Sequence, residues 1–270
     1  MSHEVHLTCQ AEFSASHSLR VPEWSDEKNF AVFGKSANRH GHGHNYKVEV
    51  TVAGPVDPAT GMVTNIQTLK GLLREVLQDV DHKNLNLDIH YFTAVLPTTE
   101  NLAQFLWNKL KEKIPQPLKR IRLYEEEGLW VDFTGTVQLG RTYHFSSAHR
   151  LDSPELSKKE NVELYGKCNN PNGHGHNYVL QLILEGKPDS ITGQLTGLES
   201  LDQFIREKIL DPWDHHYLNE DVSDFQGVIT SGENILKVVW NKIHDRIPTG
   251  KLVGLKLGET SHAFFEYFGN

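Results

Sequence analysis

The sequence predicts an α+β protein made of two tandem copies of one unit, each an antiparallel sheet with two helices on one face. The first observation behind this is a nearly constant offset between the halves of the 270-residue chain. His17 pairs with His149, Ser36 with Cys168, His42 with His174, His44 with His176 and Gly61 with Gly193, each 132 positions apart. Asp81-His82 pairs with Asp214-His215 and Glu100-Asn101 with Glu233-Asn234 at 133, and Glu125 with Glu259 at 134. Two copies of so long a unit make a duplicated domain rather than a solenoid. The junction falls near Asp132 to Val137, giving units 1–134 and 135–270. The second observation is that both units read strand, strand, helix, helix, strand, strand.

Taken in order, Val5 to Ser14 and Thr136 to Ser146 alternate apolar and polar residues and end in F-S-x-x-H, a strand pattern. A long insert rich in charge and turn residues follows and is expected to be irregular. His-Gly-His then leads into a second strand, NYKVEVTVAG or NYVLQLILEG. In Ile66 to Val80, Leu69, Leu72, Leu73, Val76, Leu77 and Val80 fall at helical spacing. Leu201, Phe204, Ile205 and Ile209 repeat that spacing in the second unit. A second helix follows T-T-E-N or S-G-E-N, where Thr98, Thr99 or Ser231 can cap it, and stops before Pro115 or Pro248. The late strands KRIRLYEEE and VGLKLGETS each carry a glutamate near the end, and the tail after each can pair as a further strand.

The bulk properties set bounds. A formal charge of -8, with no basic stripe, argues against nucleic acid as the partner. No stretch is long and apolar enough to span a bilayer, and MSHEVHLTCQ lacks the features of a secretory signal, so the expectation is a cytoplasmic protein and no membrane partner. Cys9 and Cys168 do not make a disulfide framework and are expected as free thiols. Cys9 reads as a small strand residue.

The chemistry gathers at Tyr165 to Tyr178, YGKCNNPNGHGHNY, and at its counterpart FGKSANRHGHGHNY, Phe33 to Tyr46. Histidines two apart on a strand leave one face and can share an ion. His149, at the end of the preceding strand, adds a third imidazole. Three imidazoles with an open position suit a catalytic zinc. The same reading gives His17, His42 and His44 a metal in the first unit. Cys168 is either a small buried residue, a fourth ligand, or a base whose thiol is acidified by a nearby cation. In Asp214-His215 a carboxylate can orient an imidazole that relays a proton. Glu259 and Glu125 end a strand in each unit, where most glutamates are solvated, but a carboxylate there can accept two N–H donors from the amidine-like edge of a guanine-type or pterin ring. Glu233 and Glu100 open a helix, where they favour its dipole and have a possible ligand role.

At these residues the chain resembles the 6-pyruvoyltetrahydropterin synthase family, including the 6-carboxytetrahydropterin synthases of queuosine biosynthesis. F-S-x-x-H, C-N-N-P-N-G-H-G-H-N-Y, D-H-x-x-L-N, the E-N helix start and the late glutamate occur in the family's order, and the resemblance covers almost the whole chain twice. It implies the tunnelling fold, in which units assemble into β-barrels that stack in pairs. It implies zinc on His149, His174 and His176, one Zn2+ per unit, a Cys168-Asp214-His215 catalytic group, and a pterin gripped by Glu259. Five residues, Asn169 to Gly173, separate the cysteine from the first histidine, as in the pyruvoyl branch; the queuosine branch typically has three. That branch turns 7,8-dihydroneopterin triphosphate into 6-pyruvoyltetrahydropterin and triphosphate. If two three-unit barrels stack, three chains supply six units, and a homotrimer imitating a hexamer is expected.

The first unit departs from the pattern at Ser36, while Asp81 and His82 remain. A serine hydroxyl is too weak an acid to serve as the same base unaided; His40, beside the first His-Gly-His, is the substitute to weigh. In the second unit Gly232 stands in place of Thr99 and Gly258 in place of Tyr124. The expectation is divided labour, with chemistry at Cys168. A 6-carboxytetrahydropterin synthase-like enzyme and a non-catalytic pterin-binding protein are the alternatives.

Overall fold

The structure is a computed structural model that describes residues 3–269. The first repeat holds β1 (Val5–His17), α1 (Asp26–Phe33), β2 (His42–Gly54), α2 (Ile66–Leu77), α3 (Thr99–Lys113), β3 (Leu118–Glu126) and β4 (Leu129–Phe133). The second holds β5 (Val137–His149), α4 (Lys158–Tyr165), β6 (His174–Gly186), α5 (Leu198–Ile205), α6 (Gly232–Ile243), β7 (Lys251–Thr260) and β8 (Ala263–Tyr267). The predicted α+β order holds, and the tail after each late glutamate does form a strand.

The chain forms two compact units, Met1–Gly140 with Glu185–Glu199, and Arg141–Leu184 with Ser200–Asn270. In the first unit the strand order is β4-β3-β2-β1, these four pairing antiparallel, with the two-residue strand Lys83–Asn84 added parallel to β1. Alternation along β2 turns Val48, Val50 and Val52 inward, all fully buried, with Ile121 and Leu123 of β3 beside them. Leu69 and Leu73 of α2 and Leu102, Leu106 and Leu110 of α3 are also buried. Burying each such leucine contributes about 2 kcal/mol, so apolar packing outweighs the modest intrinsic helix preference. In the second unit the order is β8-β7-β6-β5. Thr98 and Ser231 cap α3 and α6 by accepting from the N–H of Asn101 and Asn234.

Two expectations need correction. The inserts are not irregular: each contains a helix, α1 or α4, followed by a 3-10 turn at 34–37 or 166–169. These helices are short and weakly amphipathic, so periodicity does not reveal them. What holds them is a buried asparagine. Asn29 accepts from Val21 N–H and donates to the carbonyls of Val21, Trp24 and Ser25; Asn161 accepts from Ser153 N–H and donates to Ser153, Leu156 and Ser157. The first long helix also stops at Leu77 rather than Val80, while α5 runs into a π-helical turn over Arg206–Leu210. The repeat offset explains that turn. It is 132 at Gly61 and Gly193 but 133 at Asp81 and Asp214, so the second repeat has gained one residue here. A π turn absorbs one extra residue without rotating the helix beyond it. Leu73 and Ile205 keep the old offset, Val80 and Trp213 take the new one, and all four are buried.

Candidate active site

Each repeat brings three histidines onto one face of a strand pair. His42 and His44 are the first and third residues of β2, so their rings leave the same side, and the β1–β2 register sets His17 opposite His42. Ring centroids lie 4.5, 5.3 and 4.8 Å apart for His17–His42, His17–His44 and His42–His44. The second repeat gives 4.5, 5.2 and 4.9 Å for His149–His174, His149–His176 and His174–His176. The loop entering β2 crosses close to the first histidine at Gly41, where φ is 74° and a Cβ would lie 2.6 Å from the His17 carbonyl oxygen. Only glycine fits there; Gly173 repeats the conformation at 72°.

The donor atoms fit a metal ion. His17 Nε2 and His42 Nε2 are 3.1 Å apart, and His149 Nε2 and His174 Nε2 are 3.2 Å apart. Neighbouring vertices of a tetrahedral zinc site with bonds of about 2.0–2.1 Å are ~3.3–3.4 Å apart. The Nδ1–H of His17 donates to the Pro97 carbonyl and that of His149 to the Thr230 carbonyl, each at 2.7 Å. This leaves the Nε2 lone pair facing the cluster. Burial holds His17, His42, His149 and His174 below the usual histidine range, in the neutral form that ligates. Nε2 of His44 and Nδ1 of His42 and of His174 are buried with no hydrogen-bond partner.

A glutamate approaches each trio, and of the two only Glu125 falls within the donor group of its histidines. Glu125 Oε1 lies 3.5 Å from His44 Nε2, and Glu259 Oε1 lies 3.5 Å from His149 Nε2 and 3.6 Å from His176 Nε2. The Thr99 hydroxyl donates to Glu125. In the second repeat the Phe265 ring occupies the space where a Cβ on Gly232 would sit. The helix-opening glutamates differ between repeats. Glu100 is buried, accepts from Leu195 N–H at 2.8 Å, and burial pushes its carboxyl up to about 7. Glu233 is exposed.

Ser36 and Cys168 occupy one backbone frame. Their carbonyls accept from Leu19 N–H at 2.8 Å and Leu151 N–H at 2.9 Å. Cys168 is half-buried, and the Tyr178 phenol is raised by burial first and by Glu259 next. Tyr178 packs edge-on against His176 and His149. Cys168 does not join the histidine donor group among the described residues. Cys9 is a buried β1 residue whose thiol burial pushes up.

The Asp-His pairs are built alike. Asp81 Oδ1 accepts from His82 Nδ1, and Asp214 Oδ2 from His215 Nδ1, each at 2.9 Å. Backbone N–H groups of Ser14 and Ser146 hold the carboxylates below the usual range. His82 and His215 adopt positive φ, 57° and 60°, uncommon for non-glycine residues, although histidine is among the types enriched there. His82 opens on a cleft of ≈ 420 Å³ lined by Ser14, Ser16, Gly43 and Asn45, which alternate with the buried-face residues of β1 and β2. Among the described residues no hydrogen bond joins Cys168 to Asp214 or His215, and the His215 side chain is 80% exposed. His40 is exposed, with its N–H donating to the Asn38 side chain.

Sequence reasoning missed Tyr46 and Tyr178, fully buried beneath the histidines. The signal was present: period two carries 174 and 176 on to 178.

The class is therefore a duplicated α+β protein with a three-histidine metal-type site in each copy. The family described as 6-pyruvoyl tetrahydropterin synthase matches residues 6–136 and again 138–270, and the chain belongs to it. The 6-pyruvoyl tetrahydrobiopterin synthases of Homo sapiens and Pongo abelii are 47% identical over 135 residues, covering 47% of this chain and 93% of each relative. The Drosophila melanogaster protein of that name is 44% identical over 141 residues, covering 51% and 84%. The solved 6-pyruvoyl tetrahydropterin synthase of Caenorhabditis elegans is 36% identical, covers 49% of this chain and 96% of that one, and has a TM-score of 0.48. No helix among the described residues is long and apolar enough to cross a membrane.

Proposed function

We propose that the chain is a zinc-dependent carbon–oxygen lyase of the 6-pyruvoyltetrahydropterin synthase type. It converts 7,8-dihydroneopterin triphosphate to 6-pyruvoyltetrahydropterin and triphosphate in the cytoplasm, with the second repeat carrying the chemistry. The observation behind this is a thiol, Cys168, in the frame that Ser36 holds in the other repeat, on the loop that leads to an intact histidine trio.

His149, His174 and His176 would hold one zinc and His17, His42 and His44 another, since three imidazoles suit that ion. When bound, the ion supplies Lewis acidity to a substrate hydroxyl oxygen. Cys168 acts as base toward a side-chain proton, which a thiolate does better than a hydroxyl near neutrality. Asp214 holds the Nδ1–H of His215, leaving Nε2 free to relay a proton. The exposure of His215 suits delivery to a site on another copy. Glu259 and Glu125, with Glu233, are assigned to accept from a pterin's N–H edge, whereas Glu100, expected to share that role, is enclosed and already accepts from Leu195 N–H. The working form is a homo-oligomer, with three chains supplying six repeats.

A second reading is 6-carboxytetrahydropterin synthase-like turnover, kept because Phe265 packed over Gly232 makes the second repeat differ here from the first, where Thr99 stands. Incubation with dihydroneopterin triphosphate, reading product mass and zinc content together, decides. The pyruvoyl product with triphosphate supports the first reading and the carboxy product the second. Absence of turnover overturns both.

A further inference from the structure

The two histidine trios are nearly superimposable, but the carboxylates beside them are not. In the first repeat Glu125 joins His17, His42 and His44 in one set of four donor atoms, all within 4.8 Å of one another. In the second repeat the corresponding set is His149, His174 and His176 alone. Glu259 Oε1 lies 3.5 Å from His149 Nε2 and 3.6 Å from His176 Nε2, yet falls outside the set that includes His174.

A hydroxyl accounts for the difference. Thr99, at the start of α3, donates to Oε2 of Glu125. This turns Oε1 toward the imidazoles, 3.5 Å from His44 Nε2. Gly232 takes the place of Thr99 in the second repeat and has no hydroxyl to offer Glu259. His44 Nε2 is buried with no hydrogen-bond partner. An imidazole nitrogen and a carboxylate oxygen that face each other without a hydrogen bond are both satisfied by a cation between them.

We propose that Glu125 is a fourth metal ligand, so that in the pterin-free chain the first repeat closes its ion in a four-donor cage while the second repeat leaves one position open. Closed four-donor sets hold structural zinc, and three-donor sets with an open position hold catalytic zinc. His17 ends β1, His42 and His44 open β2, and Glu125 lies on β3, so the first ion ties three neighbouring strands together. The histidines of the second repeat tie only β5 and β6. The repeat that carries Ser36 thus keeps its ion for stability, because a metal held only by the folded chain adds its binding free energy to folding. The proposal rests on the two-ion reading given above. A pterin reaches Glu125 only by displacing it from the ion.

The test reads metal and not turnover. The full chain is loaded with Zn2+ and treated with a chelator, or loaded with Co2+ and treated with azide, a small anion that binds only where a position is open. One Zn2+ is expected to leave quickly and the other slowly, and azide is expected to change the visible absorption of one Co2+ of the two. His174→Ala should abolish the quick phase and His42→Ala the slow one. Glu125→Gln, nearly the same shape, should turn the slow phase into a second quick one and make both cobalt ions answer azide. Thr99→Val keeps the carboxylate but removes the hydroxyl that aims it, and should weaken the slow site about 10- to 100-fold. Glu259→Gln should leave both phases as they are. Two ions that answer azide alike, or a slow phase that survives Glu125→Gln, would overturn this proposal and leave the zinc reading standing. A chain that binds fewer than two ions would overturn the two-ion reading and this proposal with it.

Discussion

At Ser36 and Cys168 the two repeats place an oxygen and a sulfur in the same backbone frame, each on the loop leading to three histidines spaced alike to within about 0.1 Å. Everything needed to hold an ion is duplicated. The group best suited to move a proton is not. Under the proposed function, duplication frees one copy to lose acid–base chemistry while its imidazole cage and Asp-His pair persist. A second difference lies at the helix-opening glutamates: Glu100 is enclosed and Glu233 is open.

The largest effect expected concerns the cage. His174→Ala should lower bound zinc from two ions per chain to one and reduce triphosphate release about 10³-fold, the scale on which loss of a catalytic metal acts. His42→Ala should remove one ion and leave the rate within about twofold. Elemental analysis with a rate assay checks both. Equal loss of rate would break the division between repeats.

A smaller effect separates the two helix-opening glutamates. The Glu100 carboxyl rises from 4.5 to about 7 on folding, so the folded state binds more protons than the unfolded state between those values. Stability from this group is fully present below about pH 4.5 and is lost as pH rises through about 7, by about 3 kcal/mol at most. Glu100→Gln should flatten the dependence of thermal midpoint on pH between 5 and 8. An unchanged dependence would contradict the enclosure of Glu100.

The smallest effect should be the same in both repeats. Asn29→Ala and Asn161→Ala each orphan a buried backbone N–H and several carbonyls, and each should destabilise by about 2 kcal/mol in denaturant melts. A large difference would show that the inserts are not equivalent.

Much of this was legible in the chain. The repeat offset located both histidine trios, because period-two spacing on a strand is a local property. The strand tails and the capping threonine and serine were also legible. The insert helices were not, since Asn29 and Asn161 stabilise them through side-chain bonds that leave no periodic trace, although S-x-x-E at Ser157 and Glu160 marks a capping box. Nor was the approach of Glu125 to His44, which depends on non-local pairing: the register sets Lys47 opposite Tyr124, which carries the next residue alongside the histidine face. The difference between Glu100 and Glu233 was invisible as well. Their local sequences are alike, and only the segment that reaches Glu100 tells them apart.

Placing the chemistry at Cys168 and not at Ser36 stands or falls on one rate comparison. Triphosphate release from dihydroneopterin triphosphate is measured on Cys168→Ala and Ser36→Ala at equal zinc content. Cys168→Ala should lose about 10³-fold or more, and Ser36→Ala should stay within about twofold of the parent. Comparable losses from the two substitutions, or a fully active Cys168→Ala, would contradict that placement.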